Sequence, residues 1–442
     1  MKIKLSELSD IFPSAAIHFD AVFSGVSIDS RTVSANDIFI ALHGNHFNGH
    51  DYIDDAIKQG ASAVISEVDL TDIPYIKVND THKALKDLAL YYSSMIKPTV
   101  IGITGTNGKT TVTDLTAKII GNYKRTTKTF GNFNNNVGLP LSILKSKTDS
   151  EIFVLEMGAS RSGDIKELLD IAKPNIVTLL NVSPAHLDTF GTLENIISTK
   201  EEIFFNQGFN KKVILNKNDQ YFERWVKKNK LNNIITISVD DKTADYSAKK
   251  VNDHELFINT PYESEFKLSV LNTKSHNILN ILFSIALACE IGARSEHVFS
   301  AMSNYDGIKG RSKIYKGING SKIIDSSYNA NPESFKASIN DLLGCDGKRW
   351  VVMGQMGELG KKSEEYHVNL AIYAAKNNID KLFIITEHNE AIVRAFGDNA
   401  HSFSSIPDLV DFIKPLASND TTILVKASRF MNFEIIVDDL KS

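Results

Sequence analysis

Thr-Val-Ile-Gly-Ile-Thr-Gly-Thr-Asn-Gly-Lys-Thr-Thr, residues 99–111, joins an apolar run to a glycine-rich turn and a Lys-Thr pair. The apolar run predicts a buried strand. Glycines let the turn after it curl so that backbone N–H groups point at phosphate oxygens, and a helix that begins near Thr111 would aim its positive dipole end at the same anion. This order of strand, turn and helix predicts an α/β domain with a nucleotide site.

The turn differs from the ordinary phosphate-binding loop G-x-x-x-x-G-K-[ST], because Ile103 stands where the first glycine would be. In this variant loop, Lys109 can reach the outer phosphates and Thr110 can hold Mg²⁺. A glycine-rich turn without a ligand is the alternative, and the position of the Lys-Thr pair between a strand and a helix argues against it. The residues that we expect to bind the nucleotide here are Gly105, Thr106, Asn107, Gly108, Lys109, Thr110 and Thr111.

Length and composition limit the class of protein. A chain of 442 residues is too long for one ordinary core and predicts about two to four domains. Its 42% hydrophobic and 23% charged residues are typical of a soluble globular enzyme. The net charge of −4 comes without a basic stripe, which argues against a nucleic-acid partner.

The sequence gives little indication of a targeting segment, a disulfide or a zinc site. No stretch approaches the roughly 20 unbroken apolar residues that span a bilayer, and the amino terminus leads into no signal-peptide core. We therefore expect a cytoplasmic protein without a membrane span. Cys289 and Cys345 are far apart and have no Cys-x-x-Cys or His-rich neighbour, so they predict neither a disulfide framework nor a zinc site, and we expect both to be buried.

Strand and helix patterns divide the chain into three parts. Residues 1–81 combine short apolar runs with polar turns, as in a small α/β module, and we interpret them as a substrate-binding domain. In residues 82–309, strands such as 152–155 and 176–180 alternate with helical patterns, which predicts a parallel sheet covered by helices. The strand pattern restarts in residues 310–442, with strands predicted at 322–325, 350–354, 382–385 and 422–426, and this predicts a second α/β domain.

Polar side chains stand where strands of the predicted central sheet end, and open parallel sheets bind ligands at this edge. Glu156 ends one strand and could ligate Mg²⁺, which prefers oxygen donors. His186 follows the next strand and could approach the same site. Taken singly, a strand-end Glu is usually solvated and a loop His usually forms a hydrogen bond, so it is their coincidence with Lys109 that favours a function. Lys200 lies in a predicted helix and by itself indicates a surface lysine.

Ordered motifs run along nearly the whole chain. They are residues 104–111, Glu156, residues 186–188, Lys200, residues 276–280, Gly310, Arg311 and Asp325. Their order and spacing resemble those of the Mur ligases, which are ATP-dependent amide-bond-forming enzymes of bacterial cell-wall synthesis. The resemblance implies an α/β fold of three domains: a small amino-terminal UDP-binding domain, a central P-loop ATPase domain with a parallel sheet, and a Rossmann-like carboxy-terminal domain.

Two further stretches, residues 325–332 and 356–360, are similar to those of the family members that add a terminal dipeptide. Residues 27–31, 39–42 and 49–51 look like the UDP-sugar module of those members. The resemblance implies that ATP activates UDP-N-acetylmuramoyl-tripeptide as an acyl phosphate, which the amine of D-alanyl-D-alanine then attacks. The ligase that adds the third peptide residue shares the amino-terminal pattern, but its Asp-Asn-Pro-Arg motif is absent here.

The resemblance also implies roles for single residues. The catalytic residues carried over are Lys109, Glu156, His186, Lys200 and Arg311. Mg²⁺ is expected at Thr110 and Glu156, and a second Mg²⁺ near His186 and a carbamylated Lys200. The other nucleotide contacts implied are Asn277, Asn280, Arg311 and Asp325. The substrate contacts implied are Ser30 and Arg31 for the UDP diphosphate, and Asn329 and Asn331 for the dipeptide.

Three alternative functions stay open at this point. A Mur ligase that adds a single amino acid would use the same chemistry. So would a folylpolyglutamate synthase-like ligase, although that class lacks the amino-terminal UDP module that this chain resembles. A non-enzymatic protein that closes on ATP without making a bond is the third, and the coincidence of Lys109, Glu156, His186 and Lys200 argues against it. We expect a monomer, and no motif indicates whether the third peptide residue is diaminopimelate or lysine.

Overall fold

The structure is a computed structural model that describes residues 2–12, 16–44, 47–185, 187–205, 211–271, 273 and 275–442. Its larger sheets follow one another along the chain, and each is described below with its helices. Short 3-10 helices connect several of the elements: Leu5–Asp10, Ser30–Thr32, Gly49–Tyr52, Glu202–Phe204, Ile318–Gly320, Gly360–Lys362 and Arg429–Met431.

The amino-terminal part is built on a mostly parallel sheet. Its strands are β1 (Ile3–Lys4), β2 (Ala16–His18), β3 (Val22–Phe23), β4 (Gly25–Ser27), β5 (Asp37–Ile40), β6 (Ala63–Ser66) and β7 (Tyr75–Lys77), and its helix is α1 (Ile53–Gln59). The sheet has the order β2-β7-β6-β5-β4, in which β4 to β7 are parallel and β2 is antiparallel to β7. Strands β1 and β3 pair with each other. Helix α2 (Thr81–Ile96) leads from this part into the next.

The central part has the longest sheet. Its strands are β8 (Thr99–Thr104), β9 (Thr126–Lys128), β10 (Ile152–Glu156), β11 (Ile176–Leu179), β12 (Lys212–Asn216), β13 (Ile234–Val239), β14 (Tyr246–Asn252), β15 (Glu255–Asn259) and β16 (Phe266–Ser269). Its helices are α3 (Lys109–Gly121), α4 (Gly138–Leu144), α5 (Asp164–Ala172), α6 (Leu187–Phe190), α7 (Leu193–Glu201), α8 (Phe222–Lys228), α9 (Ser275–Cys289) and α10 (Ser295–Ser303). The order is β16-β15-β14-β13-β12-β11-β8-β10-β9, with β8 to β14 parallel and β15 and β16 antiparallel.

The carboxy-terminal part has a third sheet. Its strands are β17 (Lys313–Lys316), β18 (Lys322–Ser326), β19 (Lys348–Gly354), β20 (Lys381–Ile385), β21 (Ala400–Ser402) and β22 (Thr421–Lys426). Its helices are α11 (Pro332–Leu343), α12 (Ser363–Lys376), α13 (Asn389–Phe396), α14 (Ile406–Ile413) and α15 (Glu434–Leu440). The order is β17-β18-β22-β19-β20-β21, in which β17 is antiparallel to β18 and the other pairs are parallel.

Apolar packing connects the first two sheets and leaves the third with its own core. One cluster of buried side chains contains Ile40 of the first sheet, Leu88 of α2 and Phe153 of the central sheet, so the amino-terminal and central parts share a continuous core. In the third sheet, the neighbours Val351 and Val352 of β19 belong to separate clusters, because successive side chains of a strand point to opposite faces. Helices cover both faces of that sheet.

The predicted α/β fold class is confirmed. The strands expected at 152–155, 176–180 and 322–325 are β10, β11 and β18. The antiparallel pair β15 and β16 was not predicted. Both cysteines are free as expected, but Cys345 is only partly buried, so the expectation that both are buried is wrong for this residue. Within the described ranges, every helix is too short or too polar to cross a bilayer.

Candidate active site

The variant phosphate loop lies between β8 and the first turn of α3. Gly108 has a φ of +87°, and a Cβ there would lie 2.5 Å from Oδ1 of Asn280, so a larger side chain would be strained and crowded. Nζ of Lys109 turns back and donates to the carbonyl oxygens of Gly105 (2.8 Å) and Thr106 (3.1 Å). Helix α3 begins at Lys109, two residues earlier than expected. Its first N–H groups therefore face the loop.

A second loop, residues 181–183 after β11, supports the phosphate loop from behind. The Asn181 side chain accepts from the N–H of Asn107 (2.9 Å) and donates to its carbonyl oxygen (3.0 Å). The N–H of Ser183 donates to Oγ1 of Thr106 (3.0 Å). These bonds fix the backbone of the loop. Sequence reasoning missed Asn181, although its position directly after a buried strand was a usable signal.

Glu156 lies beside the loop at the end of β10, where it is 3% exposed. Its Oε2 accepts from Oγ1 of Thr110 (2.6 Å), and its Oε1 accepts from Nδ2 of Asn134 (2.7 Å). Arg311 comes from the carboxy-terminal part, which is called the third domain below, and donates from Nη2 to the same Thr110 hydroxyl (2.8 Å). The strand end thus holds a buried carboxylate next to a hydroxyl, as predicted. Asn134 was not predicted.

The oxygen atoms of Thr110 and Glu156 fit Mg²⁺. Among the described residues, no cluster of three or more His, Cys, Asp or Glu side chains could hold a metal ion by itself. Mg²⁺, however, is usually held by one or two carboxylates together with substrate phosphates and water. Within the described chain, the side-chain hydrogen bonds that Glu156 accepts come from one hydroxyl and one amide, and its charge attracts the nearby Lys109 and Lys200. A buried carboxylate in this position can also attract a metal cation. His186, expected as a ligand, lies outside the described residues.

Lys200 is brought to the phosphate loop by α7. Its side chain is 4% exposed, and Nζ donates to the carbonyl oxygen of Gly105 at 3.1 Å. Burial, reinforced by the positive charge of Lys109, lowers the pKa of Lys200 to about 7, and the attraction of Glu156 opposes this. Burial also lowers the pKa of Lys109. The interpretation of Lys200 as a surface lysine was wrong, and its expected role as a carbamylated ligand of Mg²⁺ stays a prediction.

The third domain completes the site from the opposite side. The guanidinium of Arg311 lies over the ring of Tyr328 at 4.1 Å. Nδ2 of Asn331 donates to Oδ1 of Asn107 at 2.9 Å, which joins the third domain directly to the phosphate loop. Tyr328 was not predicted. Tyr328 lies beside Arg311 at the edge of the third sheet, because it comes only two residues after the end of β18.

A cavity of about 1270 Å³ lies between the central and third domains. The expected site residues on its wall are Thr106, Asn107, Gly108, Lys109, Thr110, Thr111, Glu156, Lys200, Asn277, Asn280, Arg311, Asn329 and Asn331. A nucleotide with an activated substrate could occupy this volume, because phosphate-binding groups lie on one side and amides on the other. The structure therefore brings most of the expected residues together.

Four expected residues of the described ranges are not on this wall: Gly105 of the phosphate loop, Asp325, Ser30 and Arg31. Asp325 is fully buried off the cavity wall, where its oxygens accept from the N–H of Gly310 (2.9 Å) and from Oγ of Ser327 (2.6 Å). Ser30 and Arg31 lie in the amino-terminal part, also off this wall, and Arg31 pairs with Asp29 at 2.7 Å on the surface. Their contacts with ribose and with the UDP diphosphate stay predictions.

Comparisons with known proteins agree along the whole chain. Residues 22–93 match the Mur ligase family catalytic domain, residues 103–288 the Mur ligase middle domain, and residues 310–429 the Mur ligase glutamate ligase domain. A UDP-N-acetylmuramoyl-tripeptide--D-alanyl-D-alanine ligase from Haemophilus influenzae is 30% identical, covering 100% of this chain and 99% of that protein.

Solved structures show the same likeness. The chain is similar to the crystal structure of MurF from Acinetobacter baumannii, with a TM-score of 0.90, 25% identity, and coverage of 100% of this chain and 99% of that one. It is also similar to the MurF ligase from Thermotoga maritima in complex with ADP, with a TM-score of 0.80, 29% identity, and coverage of 94% and 96%. The resemblance predicted from the motifs is confirmed, and the chain belongs to the Mur ligase family.

Proposed function

We propose that the protein is an ATP-dependent ligase that joins D-alanyl-D-alanine to UDP-N-acetylmuramoyl-tripeptide and releases ADP and phosphate, a step of peptidoglycan precursor synthesis. The supporting observation is the cavity in which the phosphate loop faces Arg311 and Asn331 of the third domain. The similar Haemophilus protein carries this activity in its name, and the similar Thermotoga structure holds ADP. These names also favour the dipeptide over a single amino acid or a folate substrate.

The reaction divides into two transfers. The tripeptide carboxylate attacks the γ-phosphorus of ATP, so that a carboxyl-oxygen-to-phosphorus bond forms and ADP leaves. The amine of the dipeptide then attacks the acyl carbon, the amide bond forms, and phosphate leaves with the electrons of the broken carbon-to-oxygen bond while the amine gives up a proton. Lys109 and Arg311 neutralise the charge that spreads over the transferring phosphoryl oxygens. Mg²⁺ held by Thr110 and Glu156 would supply further neutralisation.

Lys200 is proposed to act as a carbamate. Its amine would attack CO₂ and lose a proton, which forms a nitrogen-to-carbon bond and leaves a carboxylate-like group. Burial beside Glu156 supports this, because an unmodified ammonium there would repel a cation whereas a carbamate would bind a second Mg²⁺. His186 is the proposed companion ligand.

The remaining contacts are proposed by the same resemblance. Asn277 and Asn280 would contact the adenosine, which is supported by their places on the cavity wall and by the position of Asn280 beside Gly108. The proposed ribose contact of Asp325 would need its buried carboxylate to exchange a present partner. Asn329 and Asn331 would lie on the dipeptide side. The UDP diphosphate would bind at Ser30 and Arg31, apart from the cavity.

We propose domain boundaries at residues 1–81, 82–309 and 310–442. The start of helix α2 at Thr81 supports the first, because this helix leads from the amino-terminal sheet into the central one. The separate core of the third sheet supports the second boundary. We further propose a monomer that works in the cytoplasm, where ATP and nucleotide-linked precursors are available.

A reconstituted reaction tests the function. Purified protein is mixed with ATP, Mg²⁺, UDP-N-acetylmuramoyl-tripeptide and D-alanyl-D-alanine, and both ADP and the UDP-pentapeptide mass are measured. We expect ADP release in the steady state only when both acceptor and amine are present. Tripeptides with diaminopimelate or lysine at the third position identify the preferred substrate. Rapid ATP hydrolysis by the protein alone, or amide formation only with single amino acids or with folate and glutamate, would contradict the proposal.

A further inference from the structure

Lys426 ends β22 in the third domain, and the reaction described above gives it no role. Its side chain is 5% exposed and forms part of the cavity wall. Nζ donates to the carbonyl oxygen of Asn329 at 2.9 Å. Burial, reinforced by the positive charge of Arg311, lowers the pKa of Lys426 to about 7. The carboxylates of Asp341 and Asp325 oppose this shift. Burying an amine costs free energy, so we look for the function of Lys426 in the hydrogen bond that it donates to the loop at Asn329.

The loop that Lys426 holds is residues 328–331, here called the bridging segment. Ser428, two residues after Lys426, donates from Oγ to the carbonyl oxygen of Ala330 at 3.4 Å. The end of β22 therefore holds two successive carbonyl groups of the segment. On its other side, the segment reaches the phosphate loop through the 2.9 Å bond from Asn331 to Asn107.

The bridging segment also supports Arg311. Tyr328, the residue before Asn329, presents its ring to the guanidinium at 4.1 Å. That guanidinium donates to Oγ1 of Thr110 at 2.8 Å. Each of these two described hydrogen bonds to the phosphate loop thus involves a residue within two positions of Asn329, since Tyr328 packs on Arg311 and Asn331 makes the second bond itself.

We propose that Lys426 is a positioning residue, which fixes the Asn329 carbonyl and thereby aims Arg311 and Asn331 at the phosphate loop. The long stem and N–H donors of a lysine suit this task, because they reach a buried carbonyl that an apolar side chain would leave unpaired. The kinetic part of the proposal rests on the proposed ligase function. The structural part concerns only the bridging segment.

Lys426→Met tests the proposal, since it keeps the stem and removes the donor. We expect kcat for amide formation to fall about tenfold or more, because a lost hydrogen bond to a buried carbonyl misplaces the segment. The dissociation constant for ADP should change by less than about threefold, because the phosphate loop belongs to the central domain. The matched control is Lys322→Met in the neighbouring strand β18, where the lysine is exposed. It should behave as wild type.

A double-mutant cycle separates positioning from a general loss of structure. If Lys426 acts through Asn331, combining Lys426→Met with Asn331→Ala should lower kcat little more than the more severe single variant does. If the fold-losses in kcat of the two single variants multiply in the double variant, the two residues act independently and the proposal is overturned. A wild-type kcat in Lys426→Met would also overturn it. If that variant does not fold, Lys426→Gln takes its place with the same expectations, because its shorter side chain should fall short of the Asn329 carbonyl.

Amide hydrogen exchange tests the structural part of the proposal without measuring turnover. Amides of residues 328–331 should exchange faster in Lys426→Met than in wild type or Lys322→Met, and unchanged exchange would overturn the proposal. The two proposals therefore fail separately. A wild-type protein that makes no amide from D-alanyl-D-alanine contradicts the ligase function alone, and the exchange experiment still decides the role of Lys426.

Discussion

Within the described residues, Lys109 donates hydrogen bonds to two carbonyl oxygens of its own loop, and Glu156 attracts its charge. Lys109→Met should therefore leave the thermal unfolding temperature nearly unchanged. Amide formation should fall about 100-fold or more, because the charge that Lys109 presents to the phosphoryl group is lost. Steady-state assays together with calorimetry check both expectations. Near-normal turnover by the folded variant would contradict the assignment of the loop.

Lys200 offers a test that depends on pH and CO₂. Its pKa of about 7 means that the neutral amine, which alone reacts with CO₂, is lost as the pH falls below about 7. We expect a carbon-13 carbamate signal with labelled bicarbonate at pH 8, a weaker one at pH 6, and slower turnover after CO₂ is removed. Lys200→Ala should lose most activity and regain part of it with added short carboxylates.

The exposed Lys227 of α8 supplies the control for this experiment. Lys227→Ala should keep the wild-type rate and the carbamate signal. Full activity of Lys200→Ala, or no labelled carbamate during turnover, would return Lys200 to the role of an unmodified buried lysine.

The buried lysines also predict a pH dependence of stability. Lys426 titrates near pH 7 when folded, against 10.5 ordinarily, so the unfolded chain binds more protons between these values. Its contribution to the free energy of unfolding therefore rises with pH over this range. Relative to wild type, Lys426→Met should be most stable at pH 7 and should lose that advantage towards pH 10. Unfolding temperatures measured at several pH values check this, and a pH-independent difference would contradict the low pKa.

Single residues of the site show which positions the sequence could predict and which it could not. Glu156 was predicted because a buried strand visibly ends at it. Lys200 was wrongly interpreted as a surface lysine. Its buried position beside the Gly105 carbonyl joins two segments that are distant in sequence, and the local pattern does not indicate such a contact. Lys426 had a signal of the same kind as Glu156, since it ends a predicted strand, but its partner belongs to a loop whose path no periodicity reveals.

At the scale of elements, Asn331 serves α11 and the phosphate loop together. Its Oδ1 accepts from the N–H of Ser334 and caps the helix, while its Nδ2 contacts Asn107. Asn331→Ala should lose about 1 kcal/mol of stability with the cap. Asn331→Ser keeps a capping oxygen and should remain stable, yet both variants should lose activity with the contact to Asn107.

Denaturation and steady-state rates separate these two roles. Equal stability losses in both variants, or full activity in Asn331→Ser, would show that the helix cap and the contact to Asn107 are not separate functions of this side chain.

Elements were predicted best where their pattern is strong. Continuous apolar runs identified β8, β10 and β11, together with β18, β19, β20 and β22 of the third sheet, whereas β17 and β21 were not predicted. The pair β15 and β16 was missed, because a hairpin that extends a parallel sheet at its edge gives no signal in the order of strands and helices. The start of α3 at Lys109 depends on backbone geometry at Gly108, which composition does not report.

For the whole molecule, the described arrangement already joins the third domain to the phosphate loop through Arg311 and Asn331. Such hydrogen bonds contribute only about 1 to 3 kcal/mol each, so we expect the ligand-free protein to open in solution. Small-angle scattering should show a smaller radius of gyration with an ATP analogue and UDP-tripeptide than without them. An unchanged radius under saturating ligands would mean that the domains are closed throughout.

The separate core of the third domain has a consequence for how the molecule opens. The first two sheets share apolar side chains and can part only by exposing them to water. The third sheet keeps its apolar clusters to itself and meets the phosphate loop through polar groups, which water can solvate equally well. The bound substrates, rather than apolar contacts of the protein, then hold the third domain against the rest of the molecule. The domains become free to separate when the products leave at the end of each turnover.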